Sequence, residues 1–402
     1  MKKMLSLSLA LLMLISMFVT AFASENTDTD SNVQIMTEAP NPINELFESI
    51  DKSLYCGTYW DGDEFHVIPV PAKLDELSSA ISNRTKTRSA YPSIIIDNTS
   101  TRSSNIVYSM AQRENGYNYL LEHKDTLNIE AVGYTADKLA VFMNLNATDE
   151  DRQNVLVASP VKAIEFYGGG VIGGVAQPES YEECVKEDFS TYEARATSTS
   201  LRGGNWLRKT STSNWSTITV SAVRNWNGTS GDIGLLTCGH GWTDGQSVYA
   251  SDGTKIGTAD VRHKYNMDVT FVKLSSTNLN SHGYMKDGTQ VKYNRSVTST
   301  DIGLSVEKYG AVTGNTSGTI TVIGISGTWE GYEFDNLFLT SVSTKGGDSG
   351  SPIITGGDTI LGILKGARAS SPSDEKPNPT YYESVILPIK DVINNEDLSP
   401  CT

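Results

Sequence analysis

Residues 335–366 read DNLFLTSVSTKGGDSGSPIITGGDTILGILKG. Two short runs rich in β-branched and large apolar residues, DNLFLTSVS and TILGILKG, flank a loop of glycine, serine and aspartate. Runs of that length, bounded by turn residues, predict strands rather than helices. The same texture extends in both directions. STITVSAVRNW (216–226), GQSVYA (245–250), TKIGTADV (254–261), DVTFVKL (268–274), TITVIGIS (319–326) and YYESVILPI (381–389) alternate with Gly-, Asn- and Asp-rich turns. Many short strands at close spacing predict an all-β barrel or sandwich over residues 202–402. Only Ile389–Asn394 reads as a short helix there.

The chain before this region has a different grain. INELFESIDKSL (43–54) spaces its apolar residues like a helix, and FHVIPVP (65–71) reads as a strand after a turn at Asp61-Gly62-Asp63. Tyr117–His123 continues a helical segment, and Asp149–Ala158 reads as another helix. Between them, NIEAVGYTADKLAVFMNL (128–145) predicts two alternating strands around Thr135-Ala136-Asp137. Residues 43–190 are therefore expected to form an α+β region. Residues 24–42 include the acidic, aperiodic ENTDTDSN and are expected to be a disordered lead-in. Residues 191–201, small and polar around Arg195, read as an exposed linker and a processing site.

At the start, Lys2 and Lys3 precede an apolar run from Met4 to Val19, followed by Ala21-Phe22-Ala23. A charged segment, an apolar segment and a small-x-small site predict a signal peptide, 1–23, cut near Ala23-Ser24. No later stretch is apolar enough to span a bilayer. A formal net charge of −15 over 402 residues argues against nucleic-acid binding, which needs a basic face. Export permits disulfides, but Cys56, Cys184, Cys238 and Cys401 are too few for a disulfide scaffold. One pair in each half, 56 with 184 and 238 with 401, and unpaired buried thiols remain equally open.

Acyl transfer on a peptide needs an oxygen nucleophile, a base, a carboxylate to orient the base, and N–H donors for the oxyanion. Ser349 is the nucleophile candidate, in a loop whose glycines let successive N–H groups point at one spot. Gly347 and Ser349 would supply the oxyanion-binding N–H groups. His240, in LLTCGHGW (235–242), stands at the end of an apolar run beside glycines, whereas His263 and His282 sit in polar, turn-like surroundings. Asp268, in YNMDVTFVKL (265–274), is a charge between Met267 and Val269 that is costly to bury without a partner such as an imidazole N–H. Asp244 and Asp260 are the rivals, and both read as solvated turn residues.

Thr-Cys-Gly-His, Met-Asp-Val-x-Phe and Gly-Asp-Ser-Gly, in the order His, Asp, Ser, resemble the chymotrypsin family, with spacings of 28 positions from His240 to Asp268 and 81 from Asp268 to Ser349. VEKYGAVTGNTSGTI (306–320) is similar to the segment that opens the second barrel in bacterial streptogrisin and α-lytic-type proteases. The resemblance covers about 201–393, and residues 43–190 resemble only loosely the pro-regions of such enzymes. It implies a mainly β fold of two packed antiparallel barrels, about 202–290 and 300–402, preceded by an α+β pro-domain. By position it also implies that Lys308 holds Asp348, where relatives commonly have Arg. Ser343, Thr344 and Lys345 would line the specificity pocket, and Leu364, Lys365 and Gly366 would run beside the bound substrate.

Three departures stand out. Cys238 precedes the Gly-His pair and Gly241 follows it, so the bridge usual across that loop is missing. Ser351 replaces the usual Gly, and Lys365 falls where a small Ser commonly supports the triad Asp. Neither a pocket histidine for glutamate nor a pocket acid for Lys or Arg is visible. The resemblance thus implies a secreted, monomeric serine endopeptidase made as a precursor. Its partners would be a peptide or protein substrate and its own pro-region, with no cofactor, metal, nucleic acid or membrane. The alternatives are a catalytically weak or inactive binding protein on a protease fold, and cysteine chemistry at Cys238.

Overall fold

The computed structural model describes residues 34–401 apart from 87–90, 98–106, 145, 169–170, 173–199, 225–231, 263–266, 276–279, 330–331, 369–382 and 397. The expected signal peptide, most of the lead-in, Arg195 with most of the linker, Cys184 and His263 lie outside the described residues. The β-branched runs of the carboxyl half form strands, as their composition dictates. One sheet runs Asn214–Thr217, Trp206–Arg208, Ser247–Ala250, Lys255–Arg262, Val269–Leu274, Ile233–Cys238, Ser221–Arg224, Leu398–Pro400, with each neighbouring pair antiparallel. The chain bends between Thr217 and Ser221, where Thr219 N–H donates to Leu236 O (2.8 Å) and Leu236 N–H to Val220 O (2.9 Å).

Six further strands pair in a closed antiparallel ring. In order around it they are Ser305–Gly310, Gly314–Trp329, Tyr332–Thr340, Ser384–Pro388, Thr359–Arg368 and Pro352–Thr355. Its interior holds Ile320, Phe338, Ile353, Leu361, Leu364 and Ile386, all buried. Ile389–Glu396 forms a helix that runs two residues past the expected end.

The amino half supplies the helices Pro42–Glu48, Leu74–Thr85, Met110–Glu122 and Asp149–Ala158 among the described residues. Met110–Glu122 contains the expected helical stretch from Tyr117 and begins at Met110. Ser109 and Gln112 form a capping box there, each side chain bonding the other's backbone N–H and so satisfying donors left over at a helix start. Thr148 and Asp151 do the same for the last of these helices.

Two expectations need correction. Strand Leu139–Met143 does not alternate, because all five residues are buried. One side packs against helices Met110–Glu122 and Asp149–Ala158. The other puts Ala140 and Phe142 into a core shared with Leu236, Phe271, Leu337 and Val385 of the carboxyl half. Sheet continuity is the cause: Ile129–Tyr134 pairs with both Leu139–Met143 and Gly314–Trp329, so the hairpin extends the ring's own sheet. Order also begins before Ile43. Met36 is buried, its N–H donates to Pro400 O (2.9 Å), and Thr37–Glu38 runs parallel to Tyr293–Asn294.

Candidate active site

His240 is delivered by Ile233–Cys238, and Asp268 stands directly before Val269–Leu274. These two strands are antiparallel neighbours with Cys238 opposite Val269, so both residues leave the sheet at the same edge. His240 Nδ1 lies 2.7 Å from Asp268 Oδ2, and the His240 backbone N–H donates to Oδ1 at 2.5 Å. Gly239 makes this approach possible, since a β-carbon there would sit 2.7 Å from Val269 N and 3.0 Å from Asp268 Oδ1. Burial alone would disfavour both charges. For the imidazole, burial is the largest single effect, but the charges of and hydrogen bonds to Asp268 and Cys238 together overcome it and lift His240 well above its ordinary value. For Asp268, the His240 charge and hydrogen bonds, with Lys365 nearby, overcome burial and bring the carboxyl down to about 2.

Ser349 is buried in a tight loop that joins ring strands Tyr332–Thr340 and Pro352–Thr355 and leans on the first sheet. Thr217 N–H donates to Ser349 O (2.8 Å), Thr217 Oγ1 to Gly347 O (2.9 Å), and Thr219 Oγ1 to Gly350 O (2.6 Å). On the ring side, Gly350 N–H donates to Leu364 O (2.8 Å). Gly350 has φ +90°, and a β-carbon there would meet Thr217 O and Thr237 Oγ1 at 2.4 Å and Cys238 N at 3.0 Å. Only glycine fits that turn and that approach. The loop is thus seated on the strand end that carries His240. Gly347 has φ +94°, and the N–H groups of Gly347 and Ser349 have no acceptor among the described residues.

Asp348 points the other way, into a sealed cage. Its Oδ2 accepts from Lys308 Nζ (2.9 Å), Thr313 Oγ1 (2.6 Å), Thr344 Oγ1 (3.4 Å) and Lys345 N–H (3.1 Å). Its Oδ1 accepts from the N–H groups of Val312 (2.9 Å) and Thr313 (3.2 Å). Lys308 and Asp348 are both 0% exposed. Although burial works against it, the ammonium and these donors hold the Asp348 carboxyl below the usual range. Ser351 is also fully buried, its hydroxyl bonded to Asp348 O. Ser351 therefore ties down the turn that carries Ser349.

The loop that carries His240 is held by polar and aromatic contacts. Ser216 Oγ accepts from Thr237 Oγ1 (2.9 Å) and Trp242 Nε1 (3.2 Å). The indole of Trp215 lies on Gly241, where a β-carbon would come within 2.3 Å of it, and Lys209 Nζ sits 3.1 Å from the Trp215 ring centroid. Among the described residues Cys56, Cys238 and Cys401 are buried and unpaired. Asp260 is not a solvated turn residue: it lies within a strand and pairs with Arg224 at 2.6 Å. Asp244 accepts from Val261 N–H at 3.3 Å.

The expected pocket residues have different surroundings. Thr344 is buried with its hydroxyl on Asp348, and Leu364 packs inside the ring. Ser343 O accepts from Thr316 Oγ1 (3.2 Å), Lys345 is tied to Asp348 by its backbone, and Gly366 lies within its strand. Lys365 instead lines a pocket of about 580 Å³ with Met267, Tyr117 and Tyr134, and was not expected to face the amino half. Among the described residues no three His, Cys, Asp or Glu side chains are grouped to hold a metal ion.

No family profile matches the chain, and no curated protein matches it. Similar solved structures include a glutamic acid-specific serine protease that uses a histidine triad in substrate binding (19% identity, TM-score 0.39, 49% of this chain and 98% of that one). Nocardiopsis protease is another (22% identity, TM-score 0.40, 50% of this chain and 100% of that one). Thermobifida fusca protease A is a third (21% identity, TM-score 0.38, 50% of this chain and 99% of that one).

Proposed function

We propose that the chain is a serine endopeptidase with a two-barrel, chymotrypsin-like catalytic half, hydrolysing peptide bonds through an acyl-enzyme on Ser349. The observation that carries this reading is the 2.7 Å His240–Asp268 bond, formed at the strand edge on which the Ser349 loop is seated. With Nδ1–H turned to Asp268, Nε2 is left to accept the Ser349 proton. Oγ then bonds to the substrate carbonyl carbon while the oxyanion is taken up by the N–H groups of Gly347 and Ser349. His240 passes its proton to the departing amine as the C–N bond breaks. Water, deprotonated by the same imidazole, then releases the acid product and restores Ser349. A carboxylate held near pKa 2 stays ionised throughout, so it can stabilise the imidazolium in each step.

The wider reading is an exported precursor. Residues 1–23 would be removed as a signal peptide, and the amino half would serve as a pro-region freed by a cut in 191–201. Val171–Ile172 supports a blocking role for that half, because it pairs antiparallel with Ala367–Arg368 at the end of the strand expected to run beside substrate. The test is labelling by a fluorophosphonate. Processed wild-type protein should label at Ser349 and cleave casein, and Ser349→Ala should do neither. A folded, processed protein that neither labels nor cleaves would favour the inactive binding protein.

A further inference from the structure

The hairpin of Trp206–Arg208 and Asn214–Thr217 lies against the reacting centre at two points. Trp206 covers Gly347, where a β-carbon would meet its Cη2 at 2.5 Å, and Trp215 covers Gly241, the residue after His240. Strand Thr359–Arg368 stands across the Ser349 loop from this hairpin. Thr217 N–H donates to Ser349 O on one side, and Gly350 N–H to Leu364 O on the other. A peptide that lies along Thr359–Arg368 with its carbonyl carbon at Ser349 therefore runs on past the hairpin beyond the scissile bond. The charge there has one sign. Lys209 Nζ rests on the Trp215 ring, and among the described residues it makes no ion pair and donates no side-chain hydrogen bond. Arg208 beside it bonds Asn214 Oδ1 and Ser211 O (3.1 Å), both neutral. Asp252, next to the glycine that abuts Ser211, accepts from Thr254 N–H (2.8 Å) and pairs with neither cation.

Resting on the protease reading above, we propose that Lys209 and Trp215 form a subsite for the leaving half of the substrate, selecting Asp or Glu at the first or second residue after the cleaved bond. An extended peptide advances about 3.3 Å per residue, so a side chain that abuts the neighbour of His240 is within reach of those two residues. An ammonium carries three donors and no acceptor. Seated on the indole face, it keeps its outward N–H groups for an arriving carboxylate oxygen. The ring also holds the lysine in place, so less side-chain freedom is lost when the carboxylate binds. Burial pulls Lys209 below its ordinary value, and the opposite charge of a bound carboxylate relieves that cost. A substrate Lys or Arg would meet like charge from both Lys209 and Arg208, which adds rejection to attraction.

The experiment is digestion of a proteome-derived peptide library by processed protein, with mass spectrometry reading the residues on both sides of every cut. Fluorophosphonate labelling at Ser349 counts the competent sites, and cleavage is expressed per labelled site, so partial misfolding of a variant does not distort the comparison. Wild-type protein should enrich Asp and Glu after the cut by about three- to fivefold, the size of a half-exposed ion pair. Lys209→Arg should keep the enrichment, Lys209→Gln should lose it, and Lys209→Glu should turn it towards Lys and Arg. Salt at about 1 M should erase it in the wild type with no substitution at all, since screening then acts within a few ångströms. A purely structural role for Lys209 would lower cleavage at every sequence and leave the pattern unchanged. The same residues after the cut in all four proteins, or acid enrichment only before it, overturns this inference. Wild-type protein that neither labels nor cuts overturns the protease reading instead.

Discussion

Lys308→Met is the sharpest test of how the Ser349 loop is held. It removes one of two full charges that are both 0% exposed, and leaves the other in place. Stripping a partner from a buried ion pair typically costs about 3–5 kcal/mol, because the remaining charge stays desolvated. Here Asp348 keeps Thr313 Oγ1, Thr344 Oγ1 and the N–H groups of Val312, Thr313 and Lys345. Those neutral donors recover part of the loss, which places the expected cost at the lower end, about 3 kcal/mol. The sign with pH follows from Asp348, whose folded carboxyl lies below its unfolded value of 3.8. Its stabilisation is present above that value and is lost as pH falls through the folded one, so the deficit should be full at pH 7 and shrink in acid. Urea unfolding followed by tryptophan fluorescence measures it, and fluorophosphonate labelling reports whether the loop keeps its shape. Lys308→Met/Asp348→Asn, which removes both charges, should regain most of the lost stability. Lys308→Arg should not substitute freely, because Gly310 packs so close that a β-carbon on it would lie 2.6 Å from Nζ. A loss below about 1 kcal/mol for Lys308→Met, with labelling unchanged, would refute the idea that this ammonium holds the loop.

Two further outcomes are expected. Asp268→Asn leaves the imidazole without its charged partner, so burial should pull His240 back down and move the acid limb of labelling to lower pH. It should also lower kcat by roughly 10³–10⁴-fold through loss of the productive tautomer; an acid limb that stays put would count against the pairing. Ser216→Ala removes the acceptor shared by Thr237 and Trp242, leaving a buried indole N–H unpaired. That should cost about 1–3 kcal/mol and slow labelling, and unchanged urea unfolding would show that the His240 loop is held by something else.

The parts legible from sequence were those with a local cause. The β-branched runs between glycine turns form strands where expected, because burial and propensity agree along each run. The signature residues His240, Asp268 and Ser349 could be placed on strand ends and a turn, since each stretch carries its own punctuation. What escaped depended on contacts distant in the chain. The amphipathic reading of LAVFM assumed one wet face, but sheet extension through Gly314–Trp329 buries both. Asp260 reads as a turn residue until Arg224 is brought to it from a separate strand. The direction of Lys365 depends on a bulge, and a bulge is a property of two paired strands rather than one. Ser109-x-x-Gln112 was a missed local signal, a capping box that marks the start of its helix, and so was the apolar spacing of helix Leu74–Thr85.

The shared core bears on what a cut in 191–201 can accomplish. Ala131, Ala140 and Phe142 of the amino half lie in the same apolar cluster as Val322, Leu337 and Val385. Trp60 Nε1–H donates to Thr300 O (2.8 Å), Trp60 N–H to Ile302 O (2.7 Å), and Tyr117 OH to Gly324 O (3.2 Å). None of these contacts involves the linker, so breaking one peptide bond there removes none of them. Departure of the amino half would expose both sides of that core and leave the outer edge of Gly314–Trp329 without its partner strand. An unpaired edge next to fresh apolar surface is an aggregation hazard. Maturation by this route therefore needs more than the cut itself: either the amino half is degraded in place, or it stays docked and only the Val171–Ile172 strand leaves Ala367–Arg368. The second course opens the expected substrate edge while keeping the core intact, and it breaks far fewer contacts.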